Sequence, residues 1–103
     1  MIFNRAMLAR YFILGTQNVT DERMFYKVLE EALSNGITLF QYREKGFGSL
    51  VGANKLRVAQ RVRELTSAYH VPFVIDDDIV LAHIVHADGC TLGREMVILR
   101  LTL

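Results

Sequence analysis

The chain has 103 residues, 51% of them apolar and 22% charged, the balance of one small globular domain and not of a disordered segment. A formal net charge of +1 argues against a nucleic acid or an anionic membrane surface as the partner. No apolar run reaches the roughly 18 residues that a bilayer span requires, Met1 to Arg10 lacks the apolar centre of a secretion signal, and a lone cysteine, Cys90, cannot form an internal disulfide, so a cytoplasmic protein is expected.

Tyr11-Phe12-Ile13-Leu14, closed by Gly15, has the length and composition of a buried strand. Thr20 is placed to cap a helix, with Asp21 and Glu22 where the helix dipole favours negative charge. Met24, Phe25, Val28, Leu29, Ala32 and Leu33 then recur at helical spacing, and Asn35-Gly36 supplies a left-handed stop. Ile37 to Tyr42 reads as a second strand, followed by a loop carrying Gly46 and Gly48. A second amphipathic helix is expected from about Val51 to Tyr69, with Ala53, Leu56, Ala59, Val62 and Leu65 facing inward. Val71 to Ile75 gives a third strand, Ile79 to Val85 a short helix, and Asp88 to Gly93 a fourth strand and turn. This alternation is the pattern of a parallel α/β fold in which helices cross between neighbouring strands.

In such folds ligands bind beyond the carboxyl ends of the strands. The second strand ends in Gln41-Tyr42-Arg43-Glu44-Lys45, and the two-residue period puts Gln41, Arg43 and Lys45 on one face. An amide and two cations together suit a phosphate or diphosphate. The alternative is a solvated strand end in which Arg43 pairs with a carboxylate. The third strand ends in Asp76-Asp77-Asp78. Oxygen ligands for Mg²⁺ are one reading, and a helix N-cap is the other. His70, His83 and His86 have no zinc-like spacing and are expected at the surface or at helix ends. Cys90 is expected to be a small buried hydrophobe. Gly46 and Gly48 lack the third glycine and the strand-to-helix setting of a dinucleotide fingerprint.

The runs Tyr11 to Gly15, Gly36 to Gly46 with its Gln41-x-Arg43-x-Lys45, Val71 to Ile75 with its aspartates, and Ala87-Asp88-Gly89 stand in the order found in thiamine-phosphate synthases, a family this sequence resembles from about Tyr11 to Glu95. The resemblance implies a partial (β/α)₈ barrel of about the first four β/α units, a single truncated domain over 1–103. The implied activity is transfer of hydroxymethylpyrimidine from its diphosphate to a thiazole phosphate in thiamine biosynthesis, through a pyrimidine carbocation, with the truncated chain inactive alone. It further implies that Gln41, Arg43, Lys45 and Asp76 occupy positions that contact the pyrimidine diphosphate, and that Asp77 is a Mg²⁺ ligand. Two departures stand out. Asp76 replaces the family's asparagine, and Met96 replaces a second aspartate ligand, which only Glu95 could supply after a local shift of the turn. The apolar tail from Met96 to Leu103 is also unlike the family. Half a barrel would leave its first and fourth strands as open edges, to be covered by the tail or by pairing into a homodimer. The other readings are a thiazole tautomerase-like regulator and a non-enzymatic half-barrel interaction module.

Overall fold

The computed structural model describes residues 9–100. Its elements are strand β1 (Tyr11–Leu14), a 3-10 turn (Thr16–Asn18), helix α1 (Glu22–Ser34), β2 (Leu39–Tyr42), α2 (Gly52–Ala68), β3 (Phe73–Asp76), α3 (Ile79–Ile84), β4 (Gly89–Leu92) and β5 (Glu95–Ile98). The strands form one sheet in the order β1-β2-β3-β4-β5, parallel from β1 to β4, with β5 antiparallel to β4. The tail therefore contributes an edge strand. It covers β4, so the expected open edge at the fourth strand is closed and the last strand of the sheet is β5.

Register sorts the strand residues onto two faces. Phe12, Phe40 and Phe73 are lateral neighbours across β1, β2 and β3. Their rings pack in sequence, with centroids 6.0 Å apart for the first pair and 6.3 Å for the second. This aromatic row shares the main core with Leu14, Tyr42, Ile75 and Cys90, and with Phe25, Leu29 and Leu33 of α1 and Val58, Ala59, Val62 and Leu65 of α2. Each fully buried Leu, Val or Phe of this set contributes about 1.5–3 kcal/mol. Cys90 is buried here as expected, and burial pushes its thiol up, so it stays protonated and inert.

Several boundaries and faces differ from the sequence reading. Helix α1 is capped by Asp21, whose carboxylate accepts from the Met24 amide at 2.8 Å, and not by Thr20. Helix α2 starts at Gly52, leaving Ala53 in its first turn exposed, while Val58 and Thr66 are buried in its place. The Thr66 hydroxyl can enter the core because it donates to the Val62 carbonyl one turn back at 3.0 Å. β2 and β3 begin two residues later than expected, at Leu39 and Phe73, because Ile37 and Pro72 belong to the approaches to the strands. The three histidines are exposed, and His70 and His86 take φ of 56° and 57° just past the C-caps of α2 and α3.

Candidate functional site

The opposite face of the sheet carries Ile13, Gln41, Val74, Gly89 and Ile98 in one lateral row. The next row toward the carboxyl ends of the parallel strands runs Arg43, Asp76, Thr91, Met96. These rows floor a pocket of about 380 Å³, bounded by Tyr11 and Ile13 on β1 and by Gly93 and Arg94 in the β4–β5 turn. Gly89 lets that floor pack closely. A Cβ there would stand 3.0 Å from the Val97 carbonyl oxygen, 3.1 Å from Val74 Cγ1 and 3.2 Å from Met96 Sδ, so its absence lets the Met96 thioether lie across the sheet.

Three of the five expected site residues meet in this pocket, which Glu95 and Met96 also line. Gln41 is buried, and its amide Nε2 donates to the Tyr11 hydroxyl. Burial is the main reason the Tyr11 phenol is pushed up; the bond from Gln41 opposes that rise and the nearby Asp76 charge adds to it. Arg43 Nε lies 3.4 Å from Asp76 Oδ2, and the Thr91 hydroxyl donates to Asp76 Oδ1 at 2.8 Å. The Arg43 side chain remains 46% exposed while Asp76 is 16% exposed. Asp76 thus engages the guanidinium at Nε while the half-exposed Arg43 side chain lines the pocket, and a guanidinium's planar fork suits phosphate oxygens. The pairing of Arg43 with a carboxylate, one of the two sequence readings, is therefore present within the pocket itself.

The other two site residues lie outside the pocket lining. Lys45 is exposed in the loop beyond β2. Asp77 is exposed with a φ of 53°, and its amide donates to the Thr91 carbonyl at 2.7 Å. That left-handed residue turns the chain out of β3, so the three aspartates diverge. Asp76 faces the pocket. Asp78 caps α3 by accepting from the Leu81 amide at 3.1 Å and pairs with Lys55 at 3.0 Å. The N-cap reading of the triplet thus holds for Asp78. Among the described residues no three His, Cys, Asp or Glu side chains converge as a metal cage.

The loop that carries the cations is tied to β1. Glu44 accepts from the Thr16 amide at 3.0 Å, from the Thr16 hydroxyl at 2.8 Å and from the Leu50 amide at 2.9 Å. Gln17 Nε2 donates to the Arg43 carbonyl at 2.7 Å. Gly15 makes this clasp possible, because a Cβ on it would fall 2.0 Å from that carbonyl oxygen. Tyr11, Thr91 and Arg94 were not singled out from sequence. Tyr11 had a usable signal, since two residues before Ile13 it must share the Ile13 face. Thr91 and Arg94 became visible only with the β4–β5 pairing.

The family model for thiamine monophosphate synthase matches residues 10–100. The chain belongs to that family. Over 95 residues it is 61% identical to a thiamine-phosphate synthase of Leuconostoc citreum (strain KM20), covering 92% of this chain and 45% of that protein. It is 47% identical over 94 residues to thiamine-phosphate synthase 1 of Streptococcus pneumoniae serotype 4, covering 91% of this chain and 44% of that one. A solved thiamine phosphate pyrophosphorylase from Pyrococcus furiosus superposes with a TM-score of 0.68 at 27% identity, over 89% of this chain and 43% of its own. The chain thus spans just under half the length of these relatives, and its four parallel strands and their helices make a partial (β/α)₈ barrel. Among the described residues no helix is long and apolar enough to cross a membrane.

Proposed function

We propose that the chain binds hydroxymethylpyrimidine diphosphate as a thiamine-phosphate synthase does, and that turnover to thiamine phosphate also needs the thiazole-phosphate-binding elements from the remaining length of its relatives. The observation that carries this reading is the convergence of Gln41, Arg43 and Asp76 in one pocket at the strand ends of a family member. In this reading Gln41 and Tyr11 hold the pyrimidine side, Arg43 stabilises charge on the departing diphosphate, and Lys45 supplies a further cation from its loop. Asp76 orients Arg43, although its charge opposes an anion.

Mg²⁺ is consistent with this donor set, since it takes one or two carboxylates and completes its shell with phosphate oxygens and water. Asp77, an exposed carboxylate at the end of β3, is the proposed ligand, and Met96, a soft thioether, is not one. The ion would neutralise diphosphate charge as the bond to the pyrimidine breaks.

Calorimetric titration with hydroxymethylpyrimidine diphosphate, with and without Mg²⁺, tests the proposal. Binding should require the metal, Arg43→Ala should weaken it, and Asp77→Ala should abolish the Mg²⁺-dependent binding. A well-folded chain that binds nothing would refute the reading. The interaction-module reading draws on a different observation, the exposed apolar Val80 and Ile84 on α3. Sedimentation of the purified chain separates a defined homodimer from a monomer.

A further inference from the structure

We infer that Arg94, in the β4–β5 turn, is a second anion-binding residue of the same pocket, closing on a diphosphate from the side opposite Arg43. The inference rests on the diphosphate reading above, and it assigns an anion contact to a turn from which only a metal ligand, Glu95, was considered.

The backbone holds Arg94 in place. Leu92 and Glu95 are register partners, so Gly93 and Arg94 form a two-residue hairpin turn. Gly93 takes φ of +62° while Arg94 is not among the residues with positive φ, the pattern of a type II′ turn with glycine at its first central position. Such a turn is anchored by the ladder on both sides, so the Arg94 Cα has a defined position at the pocket rim.

Charge pairing leaves Arg94 available. Lys55, Arg57, Arg61 and Arg63 are each paired with a carboxylate outside the pocket lining, and Arg43 is paired with Asp76. Arg94 is exposed and has no hydrogen-bond or ion-pair partner among the described residues. A cation on the rim of a concave polar site with no internal carboxylate partner is poised for an external anion.

The spacing also fits. Arg43 continues β2 and Arg94 sits in the turn that joins β4 to β5, between two and three strand positions away, which is about 10–14 Å across the sheet at ~4.8 Å per strand. Arg43 and Arg94 line one pocket, and Asp76 and Thr91 belong to the same lining. Glu95, which also lines the pocket, works against the anion and sets a second arm of the test.

Inorganic pyrophosphate, titrated by calorimetry at low ionic strength with Mg²⁺ present, is the probe. Arg94→Ala should lower affinity about tenfold, the loss of one charge-assisted contact worth ~1.4 kcal/mol. Arg94→Lys should retain part of the affinity, and Glu95→Gln should raise it. Arg61→Ala, a change at another exposed arginine, should leave it unchanged. Melting temperature should not move for Arg94→Ala, because the side chain is solvated. If Arg43→Ala abolishes binding and Arg94→Ala matches the parent chain, Arg94 is a solvated turn residue and the inference is overturned while the diphosphate reading stands. If the parent chain does not bind pyrophosphate, the diphosphate reading falls and takes this inference with it.

Discussion

Removing the carboxylate of Asp88 should destabilise the fold more than any single change in the candidate site. Asp88 is buried just before β4, and its Oδ2 accepts from the Phe73 amide at 2.8 Å and from Arg63 Nη1 at 3.1 Å. Arg63 in turn donates to the His86 carbonyl at 3.2 Å and lies over the Phe73 ring, 5.6 Å from its centroid. Asp88→Ala leaves the Phe73 amide without its acceptor at a fully buried position, at a cost of about 1–3 kcal/mol. It also unpairs Arg63, whose side chain is 23% exposed and so partly rehydrated, adding about 1 kcal/mol. The sum is roughly 3 kcal/mol, a large share of the ~5–15 kcal/mol available to a domain. For a chain of this size that lowers Tm by roughly 12–24 °C. Asp88→Asn keeps an oxygen acceptor for Phe73 and should cost only about 1 kcal/mol. Urea unfolding monitored by circular dichroism measures both. A loss below about 1 kcal/mol for the alanine variant, or equal losses for the two, would refute the claim that the buried amide acceptor dominates.

The remaining predictions concern the loop clasp and one titrating group. Gly15→Ala should displace the end of β2, since its Cβ would meet the Arg43 carbonyl at 2.0 Å, and backbone amide shifts at Arg43 and Glu44 report it. Shifts confined to Gly15 and its chain neighbours would count against the clasp. Glu44→Ala removes the acceptor of the Thr16 and Leu50 amides and should cost about 2 kcal/mol, with Glu44→Gln recovering roughly half in the same unfolding assay. Asp78 is subject to a desolvation effect that raises its pKa, but the Leu81 amide and Lys55 outweigh it and hold the carboxyl below its ordinary 3.8. Its stabilisation is therefore full above that value and is lost as pH falls through the lower folded value. Asp78→Asn should flatten the stability curve below about pH 4, and an unchanged acid limb would exclude this contribution.

Much of this architecture was legible in the residues. The apolar stripe of Phe25, Leu29 and Leu33 and the compact run at Phe73–Ile75 report their own burial, because helix and strand periods differ. The run before Gly15, expected to be a buried strand, is instead the edge strand β1, in which Leu14 alone is buried and Ile13 is 48% exposed. Gln41 and Arg43 could be placed together by strand alternation alone. The errors have local causes. Thr20 and Asp21 are both competent caps, and the choice depends on where the chain leaves the 3-10 turn. Ala53 satisfies the helical period but sits in the first turn of α2, which is exposed through Asn54. The separation of the three aspartates could not be read, since it depends on the left-handed conformation of Asp77, and an aspartate carries only a weak preference for it. The strand direction of Glu95–Ile98 was likewise hidden. An apolar run does not reveal its direction, and the two-residue turn at Gly93-Arg94 is what reverses it.

That reversal changes how the sheet can grow. β5 hydrogen-bonds to the side of β4 that the next parallel strand of a barrel would occupy. A two-residue hairpin closes in about 1–10 μs, whereas a parallel strand reaches the same edge only after a crossover of a dozen or more residues. The local strand therefore claims the backbone groups of β4 first. A complementing half barrel, whether in the same chain or supplied by another, would have to peel Glu95–Ile98 away before it could pair, so assembly at this edge is a displacement reaction and its rate is set by how fast the hairpin opens.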